Sequence, residues 1–361
     1  MMSSKKYFVF TLITIFVGLG INSFGQLNRK AIRKNNKRIS NFKGKKNTFT
    51  KDKKYNSISL SLNALNYFGD LSPSSKALST DIGYTKPGIG VDFSHRFGPR
   101  YTLRASFLYG AIRGDDFESA DKGDSDAKYR YVRNLSFRNR IKELTVVGVF
   151  DLFKNEASYI SRVQWTPYAF IGLTVFHHNP QAYVADDSGL PEAGTWVDLQ
   201  PLGTEGQNAD LLDTDVNFGN DPYKLIQLAI PFGIGVRYRL NQVFDLSFEM
   251  GVRYTFTDYL DDVSKNYVDL GALDSDLARY LSDRSTDPSG AEGGSRDLAE
   301  IGFQPSTYIG RDGSTYEVIR GFGSEDRTNV RGNQNNNDVY FVTTLRVSYI
   351  IGATFTRAKF R

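Results

Sequence analysis

The sequence predicts an all-β protein, an eight-stranded antiparallel transmembrane β-barrel with long extracellular loops and a basic N-terminal periplasmic arm. Three observations predict this fold. Apolar and polar residues alternate with period two in eight segments, as in strands whose two faces differ. Short turns alternate with long polar loops, the asymmetry of outer-membrane barrels. The polar face of the strands mixes opposite charges with small residues, which suits a crowded barrel interior better than a solvated surface.

Residues 1–25 have the pattern of a secretory signal peptide. Lys5 and Lys6 precede the apolar stretch 7–20, and the small residues of 23–25 offer a cleavage site before Gln26. The apolar stretch is shorter than the roughly 20 residues of a spanning helix, so a membrane anchor is the less favoured interpretation. Because the chain has no cysteine, we expect no disulfide, no thiolate metal site and no lipid-modified cysteine.

A strongly basic segment follows the predicted signal and defines the second region, residues 26–54. Twelve lysines and arginines and one acidic residue, Asp52, give residues 27–54 a charge of +11. The whole chain carries +5 and Lys5 and Lys6 carry +2, which leaves −8 for residues 55–361, the predicted barrel region. Like charges repel, so we expect a flexible periplasmic arm. It binds an acidic protein surface, anionic lipid headgroups or the cell wall, or it serves only as a tether. Its candidate partner-binding residues are Arg29, Lys30, Arg33, Lys34, Lys37, Arg38, Lys43, Lys45 and Lys46.

The alternation defines the strands in order. The clearest pair spans 226–256, where two strands of about fourteen residues flank a short turn at 241–242, as in a β-hairpin. A soluble barrel with an apolar interior is the alternative, and aromatic residues near strand ends, such as Phe97, Tyr101, Tyr238, Phe244 and Phe355, favour the membrane barrel. The eight predicted strands contain residues 58–64, 89–97, 101–109, 143–151, 169–175, 226–240, 244–256 and 341–355.

Charged residues on the polar face predict a plugged lumen. A turn centred on Gln242 places Arg239 opposite Asp245 and Arg237 diagonal to Glu249, so we expect Glu249 to pair with Arg237 or Arg253. An eight-stranded barrel is just wide enough to be filled by side chains, so these charges indicate a structural network and no pore. The predicted network comprises Asp92, Arg96, Arg104, Glu143, Arg237, Arg239, Asp245, Glu249, Arg253 and Arg346.

The sequence offers little for catalysis or cofactor binding. His177 and His178 form a possible metal pair or base, but no serine or carboxylate lies at a telling spacing. The acidic loop with Asp121, Asp124 and Asp126 lacks the closing glutamate of known calcium loops. The glycine pairs in 88–90 and 233–235 lie within strands, where small lumen residues explain them. We therefore predict no catalytic, cofactor-binding or metal-binding residue and no enzymatic activity.

Four segments resemble a known family. NYFGDLS (66–72), RNLSFRNRIKEL (133–144), PYAFIGLTVFHHNP (167–180) and AIPFGIGVRYRL (229–240) are similar to segments of the PorG-like outer-membrane barrels, components of the type IX secretion system. The first and third are the more specific. The resemblance covers roughly residues 55–260 and the last strand, and omits the basic arm and the long loop 258–338.

The resemblance implies a role in protein secretion or gliding motility. It implies a barrel in the outer membrane of a diderm bacterium that contacts lipids and anchors a periplasmic ring of the PorK and PorN or GldK and GldN type. An even strand count places both termini on one side, which we expect to be the periplasm, where the basic arm meets no nucleic acid. The alternative is an adhesin or receptor that acts through its extracellular loops.

Overall fold

The computed structural model describes residues 33, 36, 49, 53–71, 82–120, 127–299 and 302–351. The chain divides into two units, Met1–Thr48 and Phe49–Arg361. In the first unit the described residues, Arg33 and Asn36, are helical and exposed. The predicted signal peptide and the other eight candidate partner-binding residues of the arm lie outside the described residues. The second unit contains the barrel.

The described part of the second unit contains twelve strands, and eight of them form the barrel. The strands are β1 (Tyr55–Phe68), β2 (Lys86–Arg96), β3 (Tyr101–Asp115), β4 (Ser136–Asp151), β5 (Trp165–His177), β6 (Pro180–Tyr183), β7 (Trp196–Asp198), β8 (Ile226–Arg239), β9 (Phe244–Thr255), β10 (Pro305–Ile309), β11 (Thr315–Ile319) and β12 (Val339–Ile351). The helices are α1 (Asp116–Ser119), α2 (Lys128–Arg133) and α3 (Asp276–Ser282), with 3-10 turns at Ile82–Tyr84, Tyr159–Ser161, Gln200–Leu202 and Leu270–Ala272. None of the helices described is long and apolar enough to cross a membrane.

The barrel is closed. Strands β1, β2, β3, β4, β5, β8, β9 and β12 pair antiparallel in that order, and β12 returns to β1. In the closing pair Leu60 lies opposite Val347, and on its other side Leu60 lies opposite Val91. Closure leaves no unpaired strand edge, which is the condition for a sheet to stand in lipid. The predicted eight-stranded antiparallel barrel is confirmed.

The two faces of the barrel wall have opposite character. Outward residues are apolar and exposed, as in Leu60 (68%), Leu173 (68%) and Ile234 (66%). Inward residues such as Arg104 and Glu249 are charged and buried. A soluble barrel would have the reverse arrangement, because water would be outside. An outer surface of this kind suits hydrocarbon.

Exposed aromatic rings surround the end of the barrel where β1 begins and β12 ends, the two termini of the described barrel. Phe97 stacks on Tyr101 with 6.1 Å between ring centroids, and Phe153 packs edge-on against Trp165 at 5.4 Å. Phe244 packs against Tyr349 at 5.3 Å. The rings form a girdle of the kind found where barrels meet the membrane interface. Tyr238 is also exposed here, whereas Phe355 lies outside the described residues.

Connections differ between the two ends. At the end with the termini, β2–β3 and β8–β9 join by short turns, and residues 152–164 join β4 to β5. At the opposite end the connections are long and contain the three helices and strands β6, β7, β10 and β11. The sequence predicts long loops there. It also predicts a short helix at 274–285, with Leu277, Tyr280 and Leu281 on one side, and α3 lies within it. It gave no sign of α1, α2 or the β10–β11 hairpin.

Candidate functional site: a sealed lumen beneath a folded cap

Glu249 lies at the centre of the lumen network. Its carboxylate accepts hydrogen bonds from the guanidinium groups of Arg104 and Arg346, and from the hydroxyl of Tyr168 at 2.6 Å. The Nε of Arg346 also donates to Asp92 at 2.8 Å. All five side chains are buried, and they alternate along their strands with lipid-facing residues. The site therefore places two cations and two anions in contact inside the barrel.

Gly235 provides space for this cluster. A Cβ atom at this position would lie 2.7 Å from the Tyr168 ring and 2.8 Å from Glu249 Cγ. No side chain fits at these distances, so glycine is required where the wall meets the network. The prediction that this glycine is a small lumen residue agrees with its surroundings.

A second group of charges lies nearer the termini. Asp151 accepts from Arg96 at 2.6 Å and faces Arg237 at 3.4 Å, so one carboxylate serves two guanidinium groups. Asp245 accepts from Arg162 at 2.6 Å. Arginines outnumber carboxylates in this layer.

The predicted hairpin register is confirmed, but two predicted side-chain pairings are wrong. Arg239 lies opposite Asp245 in the β-ladder, but Arg162 reaches that carboxylate, and Arg239 donates to the carbonyl oxygens of Ile160 and Arg162. Adjacent residues on paired strands need not bond when a side chain from a turn lies closer.

Glu249 was expected to pair with Arg237 or Arg253, and its partners are instead Arg104 and Arg346. Arg253 binds Glu143 at 2.9 Å, whose other oxygen accepts from Tyr340 at 2.9 Å. Arg346 lies diagonal to Glu249 on the neighbouring strand β12, whereas Arg104 reaches Glu249 across the lumen. Arg253 likewise reaches Glu143 across the lumen.

Four network residues were not among those predicted: Asp151, Arg162, Tyr168 and Tyr340. Asp151 was in phase with Glu143 on the polar face of its strand and could have been included. Tyr168 and Tyr340 look like lipid-facing or girdle aromatics in the sequence, because only their phase within the strand directs them inward. Arg162 belongs to a connection without alternation, so no sequence pattern places it.

An apolar layer closes the lumen at the end opposite the termini. Its side chains belong to several barrel strands and to the long connections, and they are almost fully buried. They include Leu65, Tyr67, Leu108, Ile112, Phe137, Ile141, Phe176, Tyr340, Val342, Leu71, Leu135, Leu260 and Val263. With the charge network below it, this layer seals the barrel.

The sealed lumen predicts the absence of steady conductance. Purified protein in a planar bilayer should give no stable channel at moderate voltage, because ion pairs and an apolar layer block the axis. A porin recorded in the same bilayers is the control. A large, long-lived open channel would mean that the lumen packing is wrong.

The long connections fold into what we call the cap, the described residues of 69–71, 82–85, 116–135, 178–225 and 256–338. The cap has its own buried clusters, one around Val268, Leu273 and Val318, and another around Val184, Leu199 and Leu281. Burial of these side chains stabilises the cap by the hydrophobic effect. The predicted extracellular loops are therefore a packed structure.

Buried arginines connect the segments of the cap. Arg331 is 2% exposed, and its guanidinium contacts Glu205 Oε1 at 3.1 Å and donates to the carbonyl oxygens of Asp262 and Ser282. Arg133 binds the carboxylate of Asp116 at 2.7 Å and also donates to the Arg331 carbonyl at 2.7 Å. The two guanidinium groups link segments far apart in the sequence.

A proton is shared where the cap meets β1. The hydroxyl oxygen of Tyr67 lies 2.6 Å from Asp261 Oδ2 and 2.6 Å from Asp338 Oδ1. A phenol has one hydrogen to donate and ionised carboxylates only accept. The second contact therefore requires a proton on one carboxyl group. The backbone N–H of Leu260 donates to the other oxygen of Asp338 at 2.8 Å.

Burial raises the pKa of the carboxyl groups around this contact. The pKa of Asp261 rises to about 8 through burial and the nearby charge of Asp70, with Arg133 opposing the shift. The pKa of Asp258 rises to about 8 through burial and the charge of Asp261. Burial and the charge of Asp261 raise the pKa of Asp338 well above its ordinary value. The cap interior thus favours protonated carboxyl groups.

These shifts predict that the cap is less stable at alkaline pH. A folded-state pKa above the unfolded value of 3.8 means that the folded cap binds more protons. The contribution of the protonated Asp261 carboxyl group to the stability of the cap is complete below about pH 4 and is lost as the pH rises through about 8. Proteinase K should cleave the cap faster at pH 9 than at pH 6 in membranes, after correction for the activity of the protease.

Asp338→Asn is the matched variant. The amide nitrogen can donate to Tyr67 as the protonated acid does, and the amide oxygen can accept from Leu260. We expect an intact cap whose cleavage rate depends less on pH. Equal pH dependence in the variant and the native protein would contradict the role of Asp338.

His178 has a structural environment. Its ring is buried, stacks near Tyr223 with 6.1 Å between centroids, and its Nε2 lies 3.2 Å from the Lys224 carbonyl oxygen. Burial lowers its pKa to about 4, so the ring is neutral. Within the part of the chain that the structure describes, no three His, Cys, Asp or Glu side chains converge as a metal site. Asp121, Asp124 and Asp126 lie outside the described residues.

Residues of two of the motifs noted in the sequence lie at the junction of barrel and cap. In NYFGDLS, Asn66 donates to Thr85 at 2.7 Å, and a Cβ on Gly69 would lie 1.9 Å from Asp338 and from Tyr67. In RNLSFRNRIKEL, Asn134 donates to carbonyl oxygens of the long loop and has a left-handed backbone with φ of 57°. These residues fasten the cap to the wall.

Residues 46–194 and 213–276 match a family described as a domain of unknown function, DUF6089. The chain belongs to the DUF6089 family. No curated protein sequence matches this DUF6089 chain.

Solved barrels share its coarse architecture. A major outer membrane protein from Thermus thermophilus is 12% identical, with a TM-score of 0.32, 82% of this chain covered and 99% of the other. The outer membrane protein OprG from Pseudomonas aeruginosa is 7% identical, with a TM-score of 0.32 and coverage of 83% and 97%. The attachment invasion locus protein Ail of Yersinia pestis is 7% identical, with a TM-score of 0.32 and coverage of 83% and 99%. Similarities this low say nothing about the function of this chain. The barrel is assigned from the strand pairings of the chain itself.

Proposed function

We propose that this DUF6089 chain is a non-enzymatic outer-membrane barrel of a type IX protein secretion or gliding machinery. In this role the barrel sits among outer-membrane lipids with both termini in the periplasm, and it anchors or organises a periplasmic ring of the PorK and PorN or GldK and GldN type. The proposal combines the apolar outer wall, the filled lumen and the resemblance to PorG-like barrels.

The filled lumen is the observation that carries the proposal. A barrel whose axis is closed by the Glu249 network and by an apolar layer offers no path for a solute. What remains available for function is its two ends. Asn66, Gly69 and Asn134, which belong to two of the PorG-like motifs, lie at the junction with the cap, and in this proposal the opposite end of the barrel contacts the periplasmic assembly.

The basic arm supports a periplasmic partner with acidic character. A charge of +11 in residues 27–54 speeds association with an acidic surface, and salt weakens the effect over a Debye length of about 8 Å at physiological ionic strength. Arg29, Lys30, Arg33, Lys34, Lys37, Arg38, Lys43, Lys45 and Lys46 would supply this attraction.

Affinity purification from membranes tests the proposal. The tagged chain, solubilised in mild detergent from a bacterium that has a type IX system, should co-purify the ring proteins. Loss of the gene should impair secretion. An unrelated tagged barrel from the same membrane is the control. Normal secretion without the gene, together with no ring protein in the eluate, would refute the role.

The contribution of the arm can be measured separately. Removing residues 29–54 while keeping the predicted signal should leave the barrel inserted and reduce ring recovery, most visibly at raised salt. Replacing the same residues with a neutral Gly/Ser segment of equal length separates charge from length. Full ring recovery and secretion with the neutral segment would make the arm a tether only.

One observation favours a receptor or adhesin as the alternative. The cap holds an open cavity of about 500 Å³ with Tyr183 and Trp196 in its wall. The Arg138 guanidinium stacks 3.9 Å from the centre of the Trp196 ring. Trp196→Ala alters this surface without removing a buried arginine of the cap. Loss of cell adhesion with secretion intact would favour the receptor.

A further inference from the structure

The end of the lumen that holds the termini is open, unlike the end beneath the cap. A cavity of about 30 Å³ lies there, with Tyr55, Arg96, Arg104, Arg237, Asp245 and Arg346 among its lining residues. A second cavity of about 10 Å³ is lined by several of the same residues and by Arg162 and Arg239. We call the two together the basal cavity. The charge network forms its floor.

The basal cavity has more positive than negative charge. The smaller cavity is lined by four arginines, Arg96, Arg162, Arg237 and Arg239, and by two carboxylates, Asp151 and Asp245. Asp151 is shared between two guanidinium groups, and Asp245 is bound to Arg162. The hydrogen bonds of Arg239 go to backbone carbonyl oxygens. This lining therefore carries two more positive than negative charges, and among its four arginines Arg239 makes no carboxylate contact.

One buried donor also lacks an acceptor. The Nε of Arg104, a residue that is 7% exposed and lines the larger cavity, has no hydrogen-bond partner among the residues that the structure describes. Confined guanidinium groups without counter-charges are unfavourable, and a bound anion would offset that penalty. The planar fork of guanidinium donors matches carboxylate and phosphate oxygens.

The size of the basal cavity sets the size of the anion. A cavity needs about 10–15 Å³ to hold one water-sized group. The larger cavity, at about 30 Å³, therefore holds two or three such groups. A carboxylate group has that size. Val163 lines the smaller cavity, and Ile160 accepts a hydrogen bond from Arg239 through its carbonyl oxygen. Both side chains are 42% exposed, so they add apolar surface beside the arginines. An apolar rim around a cationic cavity suits a protein segment better than a free inorganic ion.

We propose that the basal cavity binds a carboxylate from an acidic segment of a partner protein, held by Arg237 and Arg239 with Ile160 and Val163 packing beside it. The inference rests on the proposed function only for the location of the partner in the periplasm. The ring assembly would then dock through an acidic residue that enters the barrel base.

Arg239→Gln is the variant of choice. Among the described residues no carboxylate pairs with Arg239, so the substitution leaves no described buried anion unpaired and the barrel should fold. Arg100→Gln is the matched control, because Arg100 lies on the turn at the same end and is outside both cavity linings. Heat-modifiable migration on a gel verifies the folding of both variants.

The probe is a fluorescein-labelled hexaglutamate peptide, titrated into the purified full chain in nanodiscs and followed by anisotropy. The native protein and Arg100→Gln should bind alike, whereas Arg239→Gln should bind roughly tenfold or more weakly, the effect of one charge-assisted hydrogen bond. In a chain whose residues 29–54 are replaced by Gly/Ser, binding should persist and should still depend on Arg239.

Three results would overturn the proposal. Equal binding by Arg239→Gln and Arg100→Gln would exclude the basal cavity. Loss of all binding with the Gly/Ser segment would assign the peptide to the arm. Competition by inorganic phosphate at concentrations equal to those of the peptide would make the cavity a simple anion site. Because the assay contains no ring protein, its failure is distinct from failure of the ring to co-purify.

Discussion

Replacement of Glu249 by leucine is expected to destabilise the barrel by about 3–5 kcal/mol, the usual effect of breaking a buried ion pair by removing one partner. Glu249 is 3% exposed and contacts Arg104, Arg346 and Tyr168. Without it, Arg104 has no remaining carboxylate contact, and Arg346 keeps only Asp92. Confined guanidinium groups cannot regain the solvation that they have in water.

Urea unfolding in detergent micelles, followed by the shift between folded and unfolded bands on a gel, measures this effect. Glu249→Gln separates charge from volume, and it should also destabilise the barrel because an amide does not neutralise two cations. Met250→Leu is the control, since the neighbouring side chain faces outward and is 43% exposed. A change below about 1 kcal/mol in Glu249→Leu would mean that water reaches the network and screens it.

The barrel wall could be predicted because lipid imposes a strict rule. Every second residue must be apolar, so the phase of Leu60, Leu62, Ile234 or Val347 is visible in the sequence. Turn positions at 98–100 and 241–243 followed from the same pattern. The inward phase of the charged residues was equally visible in the sequence. Nine of the ten predicted network residues make side-chain ion pairs in the lumen.

The partners of those residues could not be predicted. Alternation gives the face of a side chain, but a contact across the lumen depends on the shear of the barrel and on the rotamers that fill it. Arg104 meets Glu249 from a strand on another part of the wall. Arg162 reaches Asp245 from a connection. Neither relationship leaves a periodic signal.

The packing of the cap could not be predicted from the sequence, for a different reason. Its segments are short, rich in glycine and polar residues, and without regular spacing, which is the composition of loops. They pack because buried arginines bind carboxylates and carbonyl oxygens across large sequence distances, as Arg133 and Arg331 do. A polar composition indicates a solvated loop only when the polar groups do not form buried hydrogen bonds and ion pairs with one another.

Arg331→Met is therefore expected to open the cap and leave the barrel intact. Arg331 contacts Glu205, which is completely buried, and donates to the carbonyl oxygens of Asp262 and Ser282. Methionine fills a similar volume but leaves the buried Glu205 carboxylate without its cation. The loss should be about 3–5 kcal/mol for the cap. The rate of proteolysis of a locally opened segment follows the equilibrium between its closed and open states. A loss of about 3–5 kcal/mol therefore predicts that proteinase K cleaves the cap at least a hundredfold faster than in the native protein.

The matched control is Arg320→Met, which removes an exposed arginine from the same cap and should leave the cleavage rate within about twofold, as surface substitutions usually do. Cleavage is measured on intact membranes, so that the protease reaches the cap before the barrel wall. The gel shift on heating should remain native-like in both variants, since the Glu249 network is untouched. If Arg331→Met also abolished the folded barrel band, the cap and the barrel would be one cooperative unit. If its cap resisted protease as the native cap does, the buried arginine would not be what holds the segments together.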